Sequence, residues 1–214
     1  MLDVVLGGDR TRPLELLCLG AHSDDIEIGS GGTILRLLAE WPEARVRWVV
    51  LSATEERRRE AESSAAAFLG EAADSTVVVE DFQESFFPYL PAVKDYLNEL
   101  RSTVEPDLVL CPHRHDDHQD HRTVAELVWQ TFRDHLIVEY EIPKYEGDLG
   151  RPNAFVRLST EIVERKVALV QEHFVSQRGK YWFRPEVFSG IMAVRGIEAG
   201  VQWAEAFHVR KLVM

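Results

Sequence analysis

The chain has 214 residues, 45% of them hydrophobic, and a formal net charge of −12. That length buries one substantial core and predicts a single domain over 1–214. The acidic balance excludes a surface built to neutralise nucleic-acid phosphates or anionic lipid, and no apolar run approaches membrane-spanning length.

The opening stretch, MLDVVLGGDRTRPLELL, lacks the basic segment and long apolar run of a leader, which predicts a cytoplasmic protein. Cys18 and Cys111 lie in apolar runs, as buried thiols in a reducing compartment would. Apolar runs then alternate with amphipathic stretches, the pattern of β-α-β units around a mostly parallel sheet. The first strand is predicted at 14–19. Gly29, Gly31 and Gly32 form a small-residue stretch leading into a helix over 33–39, closed by Pro42. A second strand at 46–51 precedes a charged helix over 55–69 that ends at Gly70, a suitable C-terminal residue. A third strand at 76–79, a helix over 91–103, a fourth strand at 108–111 and a helix over 122–133 follow. Beyond them the pattern predicts a strand at 136–142, an irregular segment KYEGDLGRPN, helices over 160–173 and near 186–192, and a last strand at 204–213. The fold class is therefore α/β: a three-layer, Rossmann-like sandwich with strand order 3-2-1-4 and an irregular C-terminal part.

Two polar clusters stand out. His22, Ser23, Asp24, Asp25, Ile26 and Glu27 follow the first strand, and His113-Arg-His-Asp-Asp-His-Gln-Asp-His121 follows the fourth. In a 3-2-1-4 sheet those strands are neighbours where the connections change direction, and ligands bind outside their carboxyl ends. The clusters should thus face each other across one crevice. Two histidines and one carboxylate with an open position satisfy a catalytic zinc site. His22 and Asp25 can turn toward one point, with His121 as the third ligand. Asp24 is left to take a proton from water, His118 to stabilise an oxyanion or protonate a leaving amine, and Asp120 to hold an imidazole. Ferrous iron suits the same donors. The competing reading of the first cluster is helix capping, since Asp and Ser satisfy free amides at helix starts.

At these residues the sequence resembles the PIG-L, or LmbE-like, family of metal-dependent de-N-acetylases. The family's A-H-P-D-D motif stands here as Ala21-His22-Ser23-Asp24-Asp25, with Glu27 shortly after, and its H-x-D-H as His118-Gln119-Asp120-His121. The resemblance implies zinc on His22, Asp25 and His121, Asp24 as general base and His118 as electrostatic or acid partner. It also implies a small N-acylated amino sugar, such as an N-acetylglucosamine derivative, or a conjugate of one, as substrate. Similar proteins are often oligomers. Ser23 replaces the motif's proline, Glu84-Ser85 stands where many relatives have Asp-Gly, and Asp116 stands where some have tyrosine. Arg59 faces substrate in similar proteins, against the alternative of a solvated helix face. Glu84, His173 and Arg178 complete the candidate substrate-binding set, the last two in a C-terminal segment rich in hydrogen-bonding and aromatic groups.

Three other functions compete. A metal-dependent phosphoesterase could use the same crevice with two metals, and a non-catalytic sugar- or nucleotide-binding protein could share the fold. A dinucleotide-binding oxidoreductase is disfavoured, because Gly29-Ser-Gly31-Gly32 is not G-x-G-x-x-G and follows an acidic loop.

Overall fold

The computed structural model describes residues 12–70, 72 and 74–213. The reading of the first eleven residues as free of a leader lies outside them. Among the described residues seven strands form one sheet in the order β3-β2-β1-β4-β5-β7-β6. They are β1 (Glu15–Gly20), β2 (Arg45–Val50), β3 (Asp74–Val79), β4 (Leu108–Pro112), β5 (Leu136–Tyr140), β6 (Ala154–Leu158) and β7 (Trp203–Val209). The first five run parallel, and β1 pairs directly with β4, Leu16 opposite Leu108 and Cys18 opposite Leu110. The 3-2-1-4 order holds. β7 is antiparallel to both β5 and β6.

Among the described residues six α-helices cover the sheet: α1 (Asp25–Glu40), α2 (Glu55–Phe68), α3 (Pro91–Thr103), α4 (Gln119–Thr131), α5 (Thr160–His173) and α6 (Pro185–Ala199). Side chains alternate along each strand, so the sheet feeds two cores. Leu16, Cys18, Val46 and Trp48 pack with Ile34, Ala65 and Val170 from α1, α2 and α5. Leu17, Leu19, Val109 and Cys111 pack with Val93, Leu97 and Val128 from α3 and α4. Both cysteines are free and buried. Among the described residues no helix is long and apolar enough to cross a membrane.

The expected boundaries are corrected in several places: α4 starts at Gln119 rather than 122, so Asp120 and His121 lie in its first turn, β7 ends at Val209 rather than 213, and three departures are larger. First, α1 starts at Asp25, eight residues earlier than its apolar spacing predicts, so the glycines lie inside it. Asp25 and Glu27 in the first turn suit the positive end of the helix. Gly29 is there for contact: a Cβ would come within 2.1 Å of the Tyr140 ring, whose hydroxyl donates to Leu19 O at 2.7 Å. Second, β6 forms over Ala154–Leu158, a stretch that the pattern leaves unassigned between the irregular segment and the helix. Third, α6 runs to Ala199 and ends on Gly200 in the left-handed region at φ +70, well past the predicted helix end.

A buried ion pair is spliced into α1. Lys166 donates to Ile28 O at 2.7 Å and to Glu205 at 2.6 Å, while Glu205 accepts from the amides of Gly32 at 2.8 Å and Thr33 at 2.6 Å. The pair bonds backbone amides and a carbonyl of α1, so both charges are compensated by backbone as well as by each other.

Candidate metal and catalytic centre

The turn after β1 and the loop after β4 do meet. Asp24 precedes α1 but makes no capping hydrogen bond with its side chain, which removes the capping reading for it. Its carboxylate instead pairs with the Arg57 guanidinium at 2.7 Å. The neighbouring Asp25 turns back and accepts from the His22 amide at 2.8 Å. On the other side, His118 caps α4, its Nδ1 accepting from the Asp120 amide at 3.2 Å. That contact leaves its Nε2 as the N–H of the neutral ring.

Nδ1 of His22, Nε2 of His121 and Oδ2 of Asp25 face one another, at 3.1 Å between the two nitrogens and 3.7 and 3.3 Å from these nitrogens to the oxygen. Zinc with bonds of about 2.0–2.2 Å sets tetrahedral donors about 3.3–3.6 Å apart, so the triangle has the required size. The opposite ring nitrogens are claimed elsewhere. His22 Nε2 lies 3.2 Å from Asp120 and His121 Nδ1 2.9 Å from Asp116. With the ring protons assigned to those carboxylates, three lone pairs face inward, and only positive charge among them stabilises the set. The protonation energetics express the same demand. Burial works against a charged His121, yet Asp25 and Asp116 lift it to about 10. Burial also pushes the Asp25 carboxyl up, but His121 and His22 hold it well below the usual carboxylate range.

His118 also lies near: His22, His118 and His121 each offer a donor atom within 4.8 Å of the others. The Asp25 triangle is the tighter fit, and His118 Nδ1 is already engaged at the helix cap. Burial first, then the His121 and His22 charges, lower the His118 pKa, so its ring is held neutral with an N–H to offer.

The supporting residues form a shell. Asp120 accepts from the Ser85 amide at 2.6 Å and from the Phe87 amide at 3.2 Å, which ties the β3–α3 loop to the H-x-D-H segment. Burial raises its pKa, but those amides and His22 outweigh it and lower it. Ser85 adopts φ +67 to make this contact, a left-handed conformation that costs a non-glycine residue about 1 kcal/mol. Asp116 is held at about 2 against burial by His121 and by Lys144, whose ammonium sits 2.8 Å away.

Sequence reasoning missed Arg57, Lys144 and the role of Asp116. A signal existed for Arg57: it stands four residues before Ala61, on the face that carries Ala61, Ser64, Ala65 and Phe68 inward. Burial opposes the Arg57 charge, but Asp24, Asp25 and Glu84 more than compensate and raise its pKa. Arg59 points to solvent and pairs with Glu55 at 3.3 Å, which is the solvated-face alternative. Glu84 is exposed, on the same loop as Ser85. His173 contacts Ser63 at 2.9 Å and the exposed Arg178 donates to Gln171 O at 2.9 Å, so their contacts join α5 to α2 and to its own end rather than to the crevice.

Beside the centre, Glu139 is fully buried and accepts from His113 at 2.7 Å, from the Arg114 side chain and amide, and from Trp129 Nε1. Burial pushes its carboxyl up, but His113 and Arg114 hold it at about 2, against 4.5 ordinarily. A depressed carboxyl contributes stability that is complete above the unfolded value and lost as pH falls toward the folded one. The gap corresponds to about 3 kcal/mol. Glu139→Gln should therefore lower the urea midpoint at pH 7 and narrow the difference between variant and parent as pH drops from 4.5 to 2. A constant gap between the two midpoints across that window would show that the ionised carboxylate is not the stabilising group.

A profile of the family described as PIG-L: GlcNAc-PI de-N-acetylase matches residues 17–132, more than half of the chain. The fold is shared with solved structures of low identity. An N,N'-diacetylchitobiose deacetylase from Pyrococcus horikoshii is 21% identical with a TM-score of 0.73, over 94% of this chain and 85% of that one. A conserved protein from Thermus thermophilus is 20% identical with a TM-score of 0.75, over 94% and 96%. A 4-carboxy-2-hydroxymuconate hydratase from Pseudomonas putida is 18% identical with a TM-score of 0.74, over 94% and 98%.

Proposed function

Since this chain belongs to the PIG-L family, we propose that it is a de-N-acetylase that hydrolyses the N-acyl group of a small amino sugar or amino-sugar conjugate, with one zinc ion on His22, Asp25 and His121. The observation that carries the reading is the inward-facing triangle of Nδ1, Nε2 and Oδ2 at 3.1–3.7 Å. Ferrous iron suits the same donors. When bound there, a divalent ion polarises the amide carbonyl and makes water acidic enough to react near neutral pH.

The chain's own residues supply the rest. Asp120 and Asp116 hold the two imidazoles in the tautomers that present lone pairs inward. Asp24, held by Arg57, accepts the proton of the attacking water as the new C–O bond forms. The Nε2–H of the neutral His118 ring donates to the developing oxyanion, and the proton that Asp24 took from water passes to the leaving nitrogen as the C–N bond breaks. Cleavage of the C–N bond yields acetate and the free amine. The Asp24 carboxylate pairs with Arg57 and Asp25 with the two imidazoles, which supports the reading of the first as base and the second as ligand.

Among the described residues one cluster of candidate donors is found, which favours one metal over the two of a phosphoesterase. The likeness to a hydratase concerns the fold and leaves the reaction to the family match. Zinc-loaded protein incubated with N-acetylglucosamine and its conjugates should release acetate and a primary amine in equal amounts. Phosphate release, or saturable sugar binding without acetate, would replace this reading with one of its competitors.

A further inference from the structure

Positive charge gathers around Trp129, on the outer side of α4, in a chain whose net charge is −12. The guanidinium carbons of Arg114 and Arg210 lie 4.7 and 4.5 Å from the Trp129 ring centroid, and the Lys211 ammonium lies 5.4 Å from it. With Arg133 they line a groove of about 590 Å³ in which Glu126 is the one acidic lining residue. Arg114 is balanced by Glu139 beneath it. Lys211 donates to Arg133 O at 2.7 Å, but none of Arg133, Arg210 and Lys211 forms a salt bridge with a described residue.

Indole contacts stabilise each cation separately but leave its charge unneutralised. They do not relieve the repulsion among cations crowded on one ring. An oxyanion in the groove relieves it, and the planar guanidinium of Arg210 suits two oxygens of one phosphoryl group. The volume is that of a small-ligand site. The overall negative charge repels an extended polyanion such as nucleic acid, which selects a compact one.

We propose that this groove binds a small phosphoryl-bearing anion at a site separate from the hydrolytic crevice. The site does not depend on the de-N-acetylase reading. Trp129 provides the readout, because its ring lines the groove while its indole N–H donates to the buried Glu139 behind it. Protein labelled with 15N in its tryptophans is titrated with inorganic pyrophosphate, with glucose 6-phosphate, and with sodium chloride at matched ionic strength. Trp129→Phe identifies the resonance.

A saturable shift of that resonance with a Kd of about 1 mM or tighter is expected. Arg210→Gln with Lys211→Gln, both exposed, should weaken it about tenfold or more while metal content and acetate release stay at parental levels. Tighter binding of pyrophosphate than of glucose 6-phosphate assigns the groove to free anions; the reverse order assigns it to a phosphorylated organic ligand. Drift no different from that in sodium chloride, or binding that survives the double substitution, overturns the proposal.

Discussion

Asp24→Asn should leave the metal content of the protein near that of the parent and lower turnover by about two to four orders of magnitude, the usual contribution of general acid–base catalysis. Asparagine keeps the shape and one oxygen acceptor for the Arg57 guanidinium, which lies 2.7 Å from the carboxylate. What it loses is the capacity to accept a proton. The side chain makes no capping bond at the start of α1, so the substitution does not unfasten the helix. Metal analysis and acetate release on the same preparation check the expectation. Loss of metal would make Asp24 a ligand; retention of metal together with parental turnover would move the base to another carboxylate, with Asp120 next in line.

His121→Ala should abolish stoichiometric metal and, with it, acetate release. The residue contributes one corner of the inward triangle, 3.1 Å from His22 Nδ1 and 3.3 Å from Asp25 Oδ2. Its removal leaves two donors and uncovers Asp25, whose carboxyl is held down largely by His121. An uncompensated buried carboxylate takes up a proton, which weakens it as a ligand as well. Full zinc retention in this variant and in His22→Ala would sink the ligand assignment. His118→Ala separates the two histidine sets: if His118 is a proton and hydrogen-bond partner, metal survives its loss while turnover falls.

The part of this site that the sequence makes legible is the part written in adjacent residues. His22, Asp24 and Asp25 sit together after a recognisable strand, His118, Asp120 and His121 after another, and the 3-2-1-4 order brings them face to face. Groups that depend on the pitch of an element are harder to read. Arg57, Arg58 and Arg59 are consecutive, so successive side chains point about 100° apart, and which one meets Asp24 is settled by the seating of α2 through Ala61, Ser64 and Ala65. Lys144 reaches Asp116 from a loop with no periodicity at all. β6 is illegible for a different reason: its five residues are mostly half-buried, and its pairing partner, β7, lies far along the chain. The early start of α1 is hidden because glycines weigh against helix, whereas here tight packing against Tyr140 requires one of them.

The splice of Lys166 and Glu205 into α1 bears on where this molecule can be cut. The family match ends at residue 132, yet the amides of Gly32 and Thr33 are satisfied by a carboxylate from β7 and the carbonyl of Ile28 by an ammonium from α5. A fragment stopping at 132 would carry every residue of the inward triangle and still expose those backbone groups, the Gly29 face and the open edge of β4. The distal segment supplies Lys144 beside Asp116 and, through Lys166 and Glu205, braces the helix whose first turn delivers Asp25. The inward triangle and the contacts that brace it thus end at different points of this chain.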